Sequence, residues 1–388
     1  MSYLICQKCN AVYPANEPRW RCDCGHVLDI KFKPVFPLEK IGKRKPFMWR
    51  YREAIPIEKD KNIISFAEGF TPLLEFTIAG KRVLIKQEQL FSTGSYKDRG
   101  ASVLISKVKE LGIREVIEDS SGNAGSAVAA YCAAAGIECD IFVPENTSMA
   151  KLTQIQRYGA TLHEIPGTRE DTAKAALKAA DIVYYASHYW SPFFFHGTKT
   201  FAFEVCEQLG WKAPDTVILA VGHGSLLLGA YIGFDELRSA GIIEKIPRLI
   251  GVQAENCAPL YKTFKENLKK IPKINAQKTI AEGIAIAVPI RGNQILEAVK
   301  QTGGYFIAVN ENEIKESLLE MCGKGHYIEP TSAAAIAGLK KYLHDQHRKK
   351  ESNAGEIIVS AFTGHGLKGG GMLPLPKKAF GHPEGFLK

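Results

Sequence analysis

From about residue 83 onward, short apolar runs rich in β-branched residues alternate with longer stretches whose apolar positions recur at helical spacing. The runs predict strands over 83–86, 115–118, 140–143, 161–165, 182–185, 216–221, 249–253, 305–309 and 357–361. The stretches between them predict helices, among them 124–135, 169–180, 332–342 and the segment after His196. Strand–helix alternation at this spacing argues for parallel sheets covered by helices, the α/β class. Ligands in such sheets bind beyond the carboxyl ends of the strands. Residues 31–52, rich in Pro and basic residues, read as an irregular connector.

Four motifs fall where that rule puts a site. The first, Ser95-Tyr96-Lys97-Asp98-Arg99-Gly100, opens a helical stretch. A lysine there is either an exposed helix-start residue or, when desolvated beside a cationic group, a neutral nucleophilic amine suited to a Schiff base. The second, Ser120-Ser121-Gly122-Asn123-Ala124-Gly125, joins a strand to an Ala-rich helix. Its small residues either cap the helix or present backbone N–H groups to a carboxylate, and both can hold together. The third, Val221-Gly222-His223-Gly224-Ser225-Leu226, lies between an apolar strand and a helix. Its glycines let the backbone approach a phosphate. As a dinucleotide fingerprint it fails, because Gly229 comes one position late and no acidic residue ends the next strand near Gln253. The fourth, Ser360-Ala361-Phe362-Thr363-Gly364-His365-Gly366-Leu367-Lys368, follows the last strand and offers a hydroxyl to a heteroaromatic nitrogen.

Composition narrows the class. A chain of 388 residues with 45% hydrophobic and 23% charged positions is an ordinary globular protein, long enough for two domains. The net charge of +9 is spread along the chain without a nucleic-acid-binding module. No apolar stretch reaches membrane-spanning length, and a cytoplasmic location is expected. Nine cysteines fit reduced thiols better than a disulfide framework. Cys6 and Cys9, then Cys22 and Cys24, form two close pairs that can surround one tetrahedral zinc. The second pair has one intervening residue where the usual knuckle has two, so a zinc ribbon and a metal-free remnant of one both stay open.

In this order and spacing the motifs resemble the threonine synthase branch of the fold-type-II pyridoxal-phosphate enzymes. The segments that carry the likeness are Glu68-Gly69-Phe70-Thr71-Pro72-Leu73, the four motifs above, and Glu329-Pro330-Thr331-Ser332. The resemblance implies two doubly wound α/β domains with pyridoxal 5'-phosphate between them, plus a small Cys-rich, ribbon-like head over 1–30. It implies a large domain built from 31–95 and 211–388 and a small one from 96–210. It implies Lys97 as the catalytic lysine that carries the cofactor as a Schiff base. Asn123 would bond the cofactor's ring oxygen, and Gly222, His223, Gly224, Ser225 and Leu226 would cradle its phosphate. Thr363 would face the pyridine nitrogen. Ser95, Ser120 and Ser121 would lie near the amino-acid substrate. It also implies a homodimer.

One segment departs from the branch. Threonine synthases usually carry a run like Asn-Ser-x-Asn-Pro-x-Arg-x-Glu-Gly-Gln-Lys-Thr, whose polar residues hold the substrate phosphate. Here it is His188-Tyr189-Trp190-Ser191-Pro192-Phe193-Phe194-Phe195-His196-Gly197-Thr198-Lys199-Thr200, with Phe194 at the arginine position. Exchanging a bidentate phosphate binder for a phenyl ring is not conservative. Lys151 and Lys199 are the candidate replacements, and His188 and Phe194 the candidate substrate contacts. The leading expectation is a lyase or synthase acting at Cβ or Cγ of an amino acid, with threonine synthase the nearest named activity. The alternatives are a threonine or serine ammonia-lyase, a cysteine-synthase-type β-replacement on an unphosphorylated amino acid, and a catalytically silent binding protein of the same fold.

Overall fold

The computed structural model describes residues 2–147, 149–349 and 355–369. Its strands in chain order are β1 (Tyr3–Cys6), β2 (Val12–Pro14), β3 (Leu28–Lys31), β4 (Leu73–Ile78), β5 (Lys81–Lys86), β6 (Glu115–Glu118), β7 (Glu138–Pro144), β8 (Thr161–Ile165), β9 (Tyr184–Tyr185), β10 (Thr216–Ala220), β11 (Arg248–Ala254), β12 (Tyr305–Val309) and β13 (Ile358–Ala361). Each strand predicted from the hydrophobic pattern is present. The one over 182–185 shrinks to β9, because Ile182 stands 90% exposed on the turn before it.

Three sheets result. The head is a three-stranded antiparallel sheet ordered β2-β1-β3. A six-stranded sheet is ordered β12-β11-β10-β13-β5-β4, parallel except for the β4 edge, and a four-stranded parallel sheet is ordered β8-β7-β6-β9. Parallel strands buried on both faces need continuous apolar runs, and β10, with Val217, Ile218 and Leu219 fully buried, is one. Strand β4 escaped the pattern because it is a half-exposed edge carrying Glu75 and Thr77.

The connector expectation needs correcting. Residues 31–52 hold the helix Leu38–Lys43 and the start of a tight helical run, Met48–Ala54. Met48, Trp49 and Tyr51 are buried, so local apolar packing organises a segment whose Pro and Lys content reads as irregular.

Topology fixes where a ligand can sit. Strand β10 is flanked by β11 on one side and β13 on the other, and β6 by β7 and β9. Both are points where the chain leaves in opposite directions and opens a crevice beyond the strand ends. The loop after β10 carries Gly222, and the loop after β6 carries Ser120. Among the described residues, no helix is long and apolar enough to cross a membrane.

Candidate active site

Lys97 is the first residue of the helix Lys97–Glu110. Its start is pinned from the far end of the chain: Ser95 forms an isolated bridge with Gly364, and the Tyr96 N–H donates to the Thr363 carbonyl at 3.1 Å. The Lys97 ammonium faces inward and donates to Ser225 Oγ at 2.8 Å, with the Tyr96 hydroxyl 3.0 Å from the same oxygen.

Behind Lys97 lies a closed charge network. Arg99 pairs with Glu88 and Glu204, each at 2.6 Å, and Lys86 pairs with Glu204 at 2.9 Å. The Lys86, Arg99 and Glu204 side chains are fully buried, as is that of Glu88. Burial opposes ionisation of Glu204, but Arg99 and Lys86 hold its carboxyl down at about 2. Removing one member would leave an uncompensated buried charge, so the network locks the segment that presents Lys97.

The helix Asn123–Ala135 begins directly after the serine turn, and it packs so closely that a Cβ on Gly125 would lie 1.8 Å from the Ser120 carbonyl oxygen. The Asn123 amide donates to Glu329 at 2.8 Å, and the Thr363 hydroxyl donates to the other Glu329 oxygen at 3.0 Å. Ser332 Oγ in turn accepts from the Thr363 N–H at 2.8 Å. Opposite, Gly224 adopts φ +73, the left-handed conformation that favours glycine, as the cap of the helix Ser225–Ser239.

A third wall comes from the segment after β9. His188 Nδ1 lies 2.6 Å from a Glu118 oxygen, and the Tyr189 hydroxyl donates to Asp119 at 2.7 Å. The Tyr189 ring stacks on His223 with centroids 4.1 Å apart and an interplanar angle of 6°. Burial pushes the His188 imidazole well below its ordinary range, reinforced by the Lys97 charge. Burial and the neighbouring Asp119 push Glu118 well above the carboxylate range. Burial thus disfavours charge on both members of the His188–Glu118 pair.

These elements enclose a cavity of about 690 Å³. Its wall includes Lys97, Ser120, Ser121, Asn123, His188, Gly222, His223, Gly224 and Thr363. Ser225 and Leu226 are buried behind the wall, Ser225 reaching it through Lys97 and Tyr96. Ser95 is likewise fully buried behind it. Phe194 is not on the wall. Its ring packs on Gly100, where an added Cβ would sit 2.3 Å from it, and backs the site from behind, with its centroid 5.5 Å from Lys97 Nζ and 6.0 Å from the His188 ring. Lys199 is also removed from the cavity: fully buried, it pairs with Glu236 at 2.8 Å and contacts His196. The Lys151 side chain lies outside the described residues.

In the head, Cys6 Sγ lies 3.6 Å from Cys24 Sγ and Cys9 Sγ 3.5 Å from Cys22 Sγ, and all four sulfurs fall within 4.8 Å of one another. A zinc–sulfur tetrahedron with bonds of about 2.3 Å separates its sulfurs by roughly 3.8 Å, which this cluster nearly matches. The head is docked through Arg291, which bonds Asp29, the Leu28 carbonyl, and the Tyr189 and Trp190 carbonyls of the third wall.

Residues 64–364 match the model of the pyridoxal-phosphate dependent enzymes. The chain belongs to this family. Within it, the chain is 36% identical over 376 residues to the threonine synthase of Methanocaldococcus jannaschii, covering 94% of this chain and 92% of that one. It is 32% identical over 382 residues to the threonine synthase of Methanosarcina acetivorans, covering 95% and 92%. Threonine deaminase isoform 2 from Solanum lycopersicum superposes with a TM-score of 0.67 at 21% identity, over 83% of this chain and 86% of that one. Maize serine racemase gives 0.65 at 21%, over 77% and 88%. These two likenesses show the shared fold, that of fold-type-II enzymes.

The donor set suits the family's cofactor: an inward amine, a glycine loop at a helix start, and polar groups between them. A Cβ on Gly222 would meet Ile286 at 2.9 Å, so the backbone there is close-packed and bare. Two wall residues escaped sequence reading as site groups. Glu329 was visible in a family motif without a role, and its link to Asn123 and Thr363 needs the fold. Arg169 opens an ordinary amphipathic helix, and nothing in its neighbours marks it.

Proposed function

We propose that this chain is a threonine-synthase-type enzyme that converts O-phosphohomoserine and water into threonine and phosphate. The observation that carries the reading is the inward Lys97 amine facing a glycine loop across a cavity of about 690 Å³, in a chain similar to threonine synthases over most of its length. Pyridoxal phosphate, when bound, supplies an electron sink for charge developing at the substrate Cα. Lys97 would hold the cofactor through Nζ and, once released, carry the Cα proton, with Ser225 2.8 Å away to orient the amine. Asn123 retains a second amide N–H for the cofactor's ring oxygen, and the Thr363 hydroxyl would turn from Glu329 to face its nitrogen. The backbone N–H groups of Gly222, His223 and Gly224 would receive the phosphate beside the Ser225–Ser239 helix start, leaving the His223 imidazole free of it. Ser120 and Ser121 would hold the substrate carboxylate at the start of the facing helix. His188 would border the side-chain end of the substrate.

Burial of Phe194 favours a second reading, an ammonia-lyase or β-replacement on an unphosphorylated amino acid. In either reading the chain would act as a cytoplasmic homodimer whose four head thiolates hold a structural zinc. The free thiols of all nine cysteines support a reducing compartment, and the near-tetrahedral sulfur spacing supports the zinc.

Incubating the cofactor-loaded protein with O-phosphohomoserine, and assaying phosphate, threonine and ammonia together, tests the proposal. Equal phosphate and threonine are expected. Ammonia from L-threonine or L-serine without phosphate release from O-phosphohomoserine would select the second reading.

A further inference from the structure

The cavity wall carries a cation that none of the cofactor-directed groups uses. Arg169, first residue of the helix Arg169–Ala179, reaches the cavity. Among the described residues it has neither a hydrogen bond nor an ion pair. The acid two residues on is committed elsewhere: Asp171 closes a capping box with Thr168 and pairs with Lys174 at 3.1 Å. Because that box fixes the helix start, the guanidinium is presented from a rigid element.

What lies near it is suited to an anion. Arg169, His188 and His223 line the same cavity. His223 Nδ1 is enclosed and has no hydrogen-bond partner, while its ring is held flat on Tyr189. His188 and His223 stand edge to face with centroids 5.4 Å apart. Asp119 is buried behind the wall, one oxygen accepting from Tyr189 and the other without a hydrogen-bond partner among the described residues. A free guanidinium beside two imidazoles, one with a vacant nitrogen, matches the fork and the lone pairs of an oxyanion. The resemblance puts the arginine of threonine synthases at Phe194, an uncharged ring buried behind Lys97 and His188.

We propose that Arg169, with His188 and His223 beside it, binds an oxyanion at the far end of the substrate's side chain. The positive charge that selects the substrate has moved from the helix Pro192–Thr198 to the helix Arg169–Ala179. The inference rests on the pyridoxal-phosphate reading above and deepens it by naming the residue that selects the charged end of the substrate.

Three matched, non-reacting ligands test it: L-norvaline, L-2-aminoadipate and L-2-amino-5-phosphonopentanoate, the last two adding a carboxylate or a phosphonate to the same carbon chain. Each is titrated against the visible absorbance of the lysine-bound cofactor in the holoenzyme and its Arg169→Gln and Arg169→Lys variants. The holoenzyme should bind at least one anionic ligand about ten- to a hundredfold more tightly than norvaline, the range of one charged hydrogen-bonding contact. Arg169→Gln should abolish that preference and leave norvaline and cofactor affinity unchanged, while Arg169→Lys retains part of it. A preference for the phosphonate assigns a phosphorylated substrate, and one for the carboxylate assigns a dicarboxylic one. The proposal is overturned if Arg169→Gln keeps the preference, or if it weakens only cofactor binding, which would give the arginine to the cofactor's phosphate. A protein in which no cofactor band appears at all removes the underlying reading, and the proposal with it.

Discussion

The Asn123 side-chain amide donates to the Glu329 carboxylate at 2.8 Å, joining helix starts 206 residues apart in sequence. The other Glu329 oxygen takes the Thr363 hydroxyl, so one carboxylate ties together the loops that follow β6 and β13. Glu329→Gln preserves the shape and a partner for each neighbour. It should change unfolding free energy by no more than about 1 kcal/mol, the net worth of one such hydrogen bond. Glu329→Leu strands two polar groups and should cost about 1–3 kcal/mol for each one left unsatisfied. Urea unfolding of the cofactor-free protein compares the two. Equal losses would show that the bridge contributes nothing.

Asp98 supplies a pH test. It is fully buried and accepts from the Thr93 N–H at 3.0 Å, yet burial raises its carboxyl to about 7 from the usual 3.8. The folded state therefore prefers the protonated acid. The stabilisation is complete below about pH 4 and is lost as pH rises toward 7. A shift of roughly three units corresponds to on the order of 4 kcal/mol as an upper bound. Asp98→Asn should flatten the fall in melting temperature between about pH 4 and 7 relative to the parent. Parallel curves for the two proteins would exclude Asp98 as the titrating group.

Gly197 is where two helices touch backbone to backbone. A Cβ there would lie 2.0 Å from the Arg99 carbonyl oxygen, on the helix that begins with Lys97. Gly197→Ala should cost at least about 1–3 kcal/mol as the helices are forced apart. Gly323→Ala, at an exposed helix position with nothing within 4 Å, should be neutral or stabilising by up to about 1 kcal/mol. Denaturation midpoints of both variants read this directly, and a Gly197→Ala protein as stable as the parent would contradict the close packing.

The head should hold one zinc per chain by elemental analysis. Cys9→Ser, which removes an exposed ligand without touching the core, should lose most of it. Because Arg291 couples the head to the Tyr189 and Trp190 carbonyls, metal removal should also alter the fluorescence of Trp190 or Trp20, whose rings meet edge to face at 5.3 Å. Metal-free protein with unchanged stability and fluorescence would identify the head as a remnant that folds without zinc.

The α/β architecture was legible because short β-branched runs alternate with helical stretches, and β6, β8 and β12 can be read to the residue. Edge strands such as β4, and head strands as short as β2, carry too little pattern to be seen. At the site, Lys97, Asn123, Gly222 and Thr363 could be found because each sits in a strand-end motif. The fate of Phe194 could not, since whether a phenyl ring faces a cavity or a glycine across a helix pair is a property of packing. Arg169 was hidden for the opposite reason: an exposed arginine at a helix start looks like any other, and only the fold brings the cavity to it.

The central assignment is Lys97. Reducing the cofactor-loaded protein with borohydride and mapping the modified peptide by mass spectrometry tests it most directly. The account predicts the phosphopyridoxyl label on Lys97, with Lys97→Ala unlabelled and inactive. A label on another lysine, or normal turnover by Lys97→Ala, would contradict it.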